Sequence, residues 1–314
     1  MVSRRLERLH LERRLMRPLG RPTAVFLVGA SVLLLVGCSP ATRQPVPDDL
    51  DLGPYADVHA VLDPATESIR TPMDAYFLDE KALNRIDQAN NLLFGECLRA
   101  SGRSFPPAEV DLTALPPRPD TSFGIWSPER AARLGYGFDD SGDAPLEAAN
   151  QASIARGDAD PGWGAATDAC DESIERLPHL GRYSGSDAAR AVAGPAYDVL
   201  HDAGMLSSAD PRWEEARSEW IRCSEEHGLR FDPAEPHASG PEIPDDPEAA
   251  IRTAVVDVQC KVDTRLIEKL TSLRSQYEAA LIDRHRTELD EVAEKEREVL
   301  ERADAVIARH GAAA

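Results

Sequence analysis

DPEAAIRTAVVDVQCKVDTRLIEKLTSLRSQYEAALIDRHRTELDEVAEKEREVLERADAVIAR, residues 246 to 309, contains no glycine and, after Pro247, no proline. Leu266, Leu270, Leu273 and Tyr277 step by helical spacing, and Leu289, Val292, Val299, Ala303 and Val306 resume it. Between the two sets the phase drifts, and Glu296 stands where a strict seam would carry an apolar residue. The pattern predicts a long amphipathic helix with coiled-coil leanings, roughly 70 Å if unbroken at about 1.5 Å per residue. A bend near His285 would fold it into a hairpin. Glu288 to Arg302 is dense in charge. The half before His285 is therefore expected to pack on the body. The half after it is expected to project, its stripe offering residues 262–309 as a surface for an envelope-protein partner.

Upstream, helix signals recur. Asp210-Pro211 and Ser127-Pro128 pair a capping side chain with proline at the first helical position, predicting helices over 210–227 and 128–134. Asp79 caps a helix from Glu80 to Ser101 that Gly102 stops, with Leu83, Ile86, Leu93, Cys97 and Leu98 near one face. Further helices are expected over 164–177 and 187–203, the latter interrupted near Gly194-Pro195. Residues 103–125 read as loop, and 138–163 as irregular. No segment alternates clearly with period two, and aromatics are only 5%. A mainly α fold follows: a disulfide-stapled helical domain of two related units with a long C-terminal helix and sizeable loops.

The two units are visible as a repeat. Cys97 and Gly102 are followed by Phe105 and Pro107; Cys223 and Gly228 are followed by Phe231 and Pro233, at identical spacing. Each unit then carries a second cysteine in a helical stretch after an Asp, Cys170 after Asp168 and Cys260 after Asp257. Four cysteines allow three pairings. A unit that duplicates must carry its own staple, which favours Cys97 with Cys170 and Cys223 with Cys260. Either closure is worth about 4 kcal/mol in the chain-entropy model.

The N-terminal segment reads as an address. Seven arginines precede the apolar run Ala24 to Val36, which is too short for a comfortable span and ends in Leu35-Val36-Gly37-Cys38. That ending looks like a bacterial lipobox, in which the Cys38 thiol takes a diacylglycerol and the leader 1–37 is removed. Met16 would start a leader of more usual length, and the Arg4-Arg5 and Arg13-Arg14 pairs raise twin-arginine export. The expected place is the outer face of the bacterial cytoplasmic membrane, held by the lipid on Cys38. Residues 38–66, polar and Pro-rich at first, read as a tether, with order beginning near Ile69. The first unit is expected over 67–195, the second over 196–261, and the long helix with a short tail over 262–314.

The chain resembles a group of secreted actinobacterial lipoproteins of unassigned function. The matching features are Pro72-Met-Asp-Ala-Tyr76, Cys97 with Gly102, Phe123-Gly-Ile125 before Gly135-Tyr136, Trp220-Ile-Arg-Cys223 with Gly228, and Ala254 to Cys260. They span most of residues 69 to 300. The chain departs from the group at Arg103 and before Cys170. The resemblance implies export, lipidation, helical structure and an association with transport and cell-wall genes.

Chemistry is harder to find. The formal net charge of -20 repels phosphate and argues against nucleic acid. No HExxH, GxSxG, SxxK or Gly-rich phosphate loop is present. His201-Asp202 reads as a solvated helix end, Asp139 to Asp143 as a turn without the ligand spacing of a calcium loop, and Arg156-Gly-Asp158 as chance. Four cysteines without any CxxC favour disulfides over zinc. Glu96, Asp171 and Glu172 are the carboxylates a wall hydrolase would use. Trp126, Trp163, Trp213 and Trp220 are candidates to stack on glycans, with Trp220 placed in the core. The expected function is a non-enzymatic, lipid-anchored envelope protein that acts by binding, without cofactor or metal, accessory to an export or cell-wall assembly. The alternatives are a cell-wall hydrolase and a transporter's ligand-binding subunit, which would need two α/β lobes.

Overall fold

The computed structural model describes residues 50–139, 141–232 and 240–311; Cys38, the leader and Pro233 lie outside them. Nine α-helices carry the described chain: α1 Glu80–Ala100, α2 Pro128–Leu134, α3 Ala144–Ala159, α4 Trp163–Ser173, α5 Asp187–Ala209, α6 Pro211–Glu226, α7 Pro247–Asp263, α8 Leu266–Arg284 and α9 Arg286–Gly311. The capping side chains act as their sequence positions suggest. Asp79 accepts from Ala82 N at 2.8 Å, Asp210 from Arg212 N at 2.9 Å and Asp246 from Ala249 N at 2.8 Å.

Ordered chain begins earlier than Ile69. An antiparallel hairpin pairs β1 (Val61–Asp63) with β2 (Ser68–Arg70), Leu62 opposite Ile69. Three residues a side are too few to show alternation in sequence. Residues 138–163 are not irregular either, because α3 occupies most of them. Only Ala149 of that helix is buried, so it shows no apolar stripe and rests on alanine-rich propensity. The interruption expected near Gly194-Pro195 is a kink at Ala193, and α5 then runs on to Ala209.

The C-terminal stretch is three helices, broken twice. Arg265 adopts a left-handed conformation (φ 54°) between α7 and α8, and His285 separates α8 from α9. The expectation of a projecting distal half is overturned. Leu289, Val292, Val299, Ala303 and Val306 are all buried. Here α9 lies along α1 and α5, while α8 packs on α5 and α6. Its charges occupy the outer faces, so their density does not report on the stripe between them. The main core gathers these residues with Met73, Phe77, Ile86, Leu180, Val199 and Leu281. Smaller clusters form around each disulfide, Phe94 and Leu98 with Cys170, and Trp126, Trp220 and Ile267 with Cys260.

Glu296 is only 4% exposed, and its Oε1 has no hydrogen-bond partner. Burial pushes its carboxyl up to about 8 from an ordinary 4.5. The folded state thus keeps the proton where the unfolded chain releases it. Stability should fall as pH rises from about 4.5 to about 8, by roughly 1.4 kcal/mol per unit from this group. Glu296→Gln should remove that slope. The melting temperature of the variant, relative to the parent, is expected to climb between pH 5 and pH 8; a constant offset would refute the assignment.

Candidate functional site

The repeat seen in sequence is a repeat in space. Disulfides join Cys97 to Cys170 and Cys223 to Cys260, with Cα separations of 5.8 and 5.7 Å. Both first-cysteine helices end the same way. Gly102 (φ 78°) and Gly228 (φ 85°) take the left-handed conformation, and the next residue donates back across the turn, Arg103 N to Leu98 O and Leu229 N to Ser224 O, each at 2.9 Å. The match extends to packing that the sequence comparison missed. Phe94, three residues before Cys97, meets Phe105 edge-on at 4.8 Å, and Trp220, three before Cys223, meets Phe231 edge-on at 5.1 Å. One difference stands out. Four residues after the first cysteine the units carry Ser101 and His227, and the His227 Nδ1 lies 3.9 and 3.8 Å from the sulfurs of Cys223 and Cys260.

The second unit also encloses a polar network. Asp257 is fully buried and Lys261, one turn on, is 2% exposed. Trp220 Nε1 donates to Asp257 Oδ1 at 2.9 Å, and the Tyr136 hydroxyl donates to Oδ2 at 3.1 Å. Lys261 Nζ donates to the same Oδ2 at 3.1 Å and to the Ile125 carbonyl at 2.8 Å. Burial lowers the Lys261 ammonium and raises the Tyr136 phenol, and the Asp257 carboxylate opposes the first shift and adds to the second. The network ties α6, α7 and the 125–136 segment together into one wall.

Against that wall lies a cleft of about 550 Å³, bounded by α6, α8 and the 122–123 loop. Trp220 forms its back, and Phe123 and Trp213, with ring centroids 6.0 Å apart, its rim. Arg217, Arg274 and Glu214 supply its charges. A second depression of about 410 Å³ adjoins it at Arg274, lined also by Arg182, Tyr183, Arg190, Tyr197 and His201. The partly exposed Asp74 pairs with Arg182 at 3.0 Å, and the buried Glu278 pairs with Arg274 at 3.2 Å.

The residues singled out in sequence are distributed differently. Trp126 and Trp220 are core, Trp220 also forming the back of the cleft, Trp163 packs beside the first disulfide, and Trp213 stands at the cleft's rim. The three carboxylates do not converge. Glu96 lies 3.4 Å from His310, Asp171 pairs with Arg176, and Glu172 is exposed. Asp139 is spent on Arg133 and Ser141, and His201 lines the second depression. The Arg156-Gly-Asp158 tripeptide is part of α3. Sequence reasoning missed Arg217, Arg274 and Phe123, which come from three distant segments and form no motif.

No protein-family model, no curated protein and no solved structure matches the chain. Among the described residues no helix is long and apolar enough to cross a membrane.

Proposed function

We propose that this is a lipid-anchored protein of the bacterial envelope, held at the outer face of the cytoplasmic membrane by Cys38, that acts by binding rather than by catalysis. Its place is beside an export or cell-wall assembly. The observation that carries the reading is the ring-and-guanidinium cleft backed by the buried Trp220–Asp257–Lys261 network. A concave surface that combines aromatic rings with a few charged side chains suits recognition. The apolar stripe of α9 is spent inside the fold, so the cleft, rather than that stripe, is the surface offered to a ligand.

Two measurements test it. Cells given a labelled fatty acid should incorporate label into the protein, and Cys38→Ser should lose the label and leave the membrane fraction. Retention of the label by that variant would remove the anchor. Release of soluble fragments from isolated cell walls by the purified protein would overturn the non-enzymatic reading.

A further inference from the structure

The four disulfide cysteines share one setting. Each lies three residues before the last residue of its helix, Cys97 in α1, Cys170 in α4, Cys223 in α6 and Cys260 in α7. In each disulfide the first cysteine is half-buried and the second buried. The carbonyl end of a helix disfavours a thiolate. A disulfide exchanges more slowly the less stable the thiolate that leaves it. On those grounds the two disulfides should be equally inert. What separates them is the residue that caps the end of the first-cysteine helix, Ser101 after α1 and His227 after α6.

His227 Nδ1 lies 2.8 Å from the Cys223 carbonyl oxygen. A carbonyl can only accept, so Nδ1 carries the proton. The same N–H stands 3.9 and 3.8 Å from the sulfurs of Cys223 and Cys260, within a short swing of a thiolate at either one. Hydrogen bonds to an ionised acceptor are roughly twice as strong as neutral ones, so this donor contributes most after the S–S bond breaks. Imidazole, unlike a hydroxyl, can also carry a positive charge near neutral pH. In the first unit the Ser101 hydroxyl donates to the Leu98 carbonyl at 2.7 Å. The Ser173 hydroxyl, 3.7 Å from Cys97 Sγ, donates to the Cys170 carbonyl. Metal ligands are thiolates, and the Cys223 and Cys260 sulfurs are bonded to each other, which leaves exchange as the chemistry of the cluster.

We infer that Cys223–Cys260 is a thiol–disulfide exchange site in which His227 stabilises the departing thiolate, while Cys97–Cys170 is a fixed staple. An incoming thiolate attacks the more exposed Cys223 Sγ. A new S–S bond to Cys223 forms as the Cys223–Cys260 bond breaks, and the electron pair departs on Cys260 Sγ, to which His227 Nδ1–H donates. A second thiol attacks the sulfur of the first, joins it in a new disulfide and frees Cys223. Two electrons thus pass from the two thiols to the two cysteines. The co-reactant is a free thiol, on a small molecule or on a polypeptide. The cleft takes no part, and a mixed disulfide at Cys223 gives a binding protein a covalent hold on a thiol partner.

For the test, the full chain in detergent micelles is mixed with cysteine or with a cysteine-containing octapeptide at equal thiol concentration. Samples are quenched with iodoacetamide at intervals and mapped by mass spectrometry. Cys260 should be alkylated roughly tenfold or more faster than Cys170, with the added thiol found on Cys223. The faster of the two reagents tells a small thiol from a polypeptide one. His227→Ser, which gives α6 the cap of α1, should slow exchange at Cys223–Cys260 roughly fivefold or more and leave Cys97–Cys170 unchanged. Loosening of the fold would speed exchange, so a slower rate reports the lost donor. The reverse change, Ser101→His, should speed exchange at Cys97–Cys170. Melting curves of each variant show whether the fold is kept, and if His227→Ser does not fold, Ser101→His decides alone. Equal rates at the two disulfides of the parent, an adduct on Cys260 rather than Cys223, or an unchanged rate in folded His227→Ser would overturn the inference. Such a result would remove the exchange site and leave the anchor and the cleft untouched.

Discussion

A chain stopped after His285 is expected to lose its cooperative fold. The lost segment carries Leu289, Val292, Val299, Ala303 and Val306, all buried against α1 and α5. Burial of a Val or Leu side chain contributes roughly 1.5–3 kcal/mol, so the lost side chains together approach the roughly 5–15 kcal/mol net stability of a domain. Truncation also strips cover from α1 and α5, the two helices on which α9 packs. Polar contacts to the rest of the body disappear with it, among them Arg85 with Asp304, Arg302 with Glu175 at 2.8 Å, Arg286 with Asp283, and His310 with Glu96 at 3.4 Å. These are exposed or half-exposed and count for little beside the apolar loss. Circular dichroism melts of the full and shortened chains decide the matter. The shortened chain should show no sharp transition, or one at least 15 °C lower; a melt within a few degrees of the parent would mean α9 is dispensable. The single change Leu289→Ala, at a fully buried site, should cost about 2–5 kcal/mol in urea denaturation.

The buried pair in the second unit gives the other large effect. Asp257→Ala would leave the Lys261 ammonium facing the Ile125 carbonyl alone, and would orphan the Trp220 N–H and the Tyr136 hydroxyl. Removing one partner of a buried pair costs about 3–5 kcal/mol, because the remaining charge stays desolvated. Replacing both, Asp257→Leu with Lys261→Met, removes the stranded charge and should recover at least half of that loss. Urea titration of Asp257→Leu, Lys261→Met and the double closes the cycle. Two independent, additive losses would show that the residues do not act as a pair.

Much of the helical framework was legible because its start signals are local. Asp or Ser followed by Pro sets a cap and a first turn within a few residues, and α2, α6 and α7 begin at such signals. The repeat was legible for the same reason, since a cysteine, a glycine and a phenylalanine at fixed spacing describe one helix end. Glu296 was legible as a break in the seam, though not as a buried acid. The placement of α9 was not legible. A stripe flanked by charge reads the same whether a partner or the chain's own α1 covers it, and only tertiary packing distinguishes them. The cleft was hidden more thoroughly. Phe123, Trp213 and Arg274 lie on three separate segments; Trp213 was legible as a ring that could stack on a ligand, but nothing in the sequence joined it to Phe123 or Arg274. Asp257 and Lys261 are spaced as a common surface pair on a helix, and their burial follows from Trp220 and Tyr136 arriving from elsewhere.

The pairing of α9 with α1 also sets an order of events in time. Arg85 and Asp304, which close that contact, are 219 residues apart. At a synthesis rate of roughly 5–20 residues per second, the apolar face of α1 waits roughly ten to forty seconds for its cover. Throughout that interval the main core is open along one side, a surface that a holding chaperone would recognise. A message cut short, or a ribosome stalled before α9, yields a chain that displays the same face permanently. Chains that have added α9 therefore differ from chains that have not, and protein quality control can tell them apart by the apolar residues of α1 left uncovered.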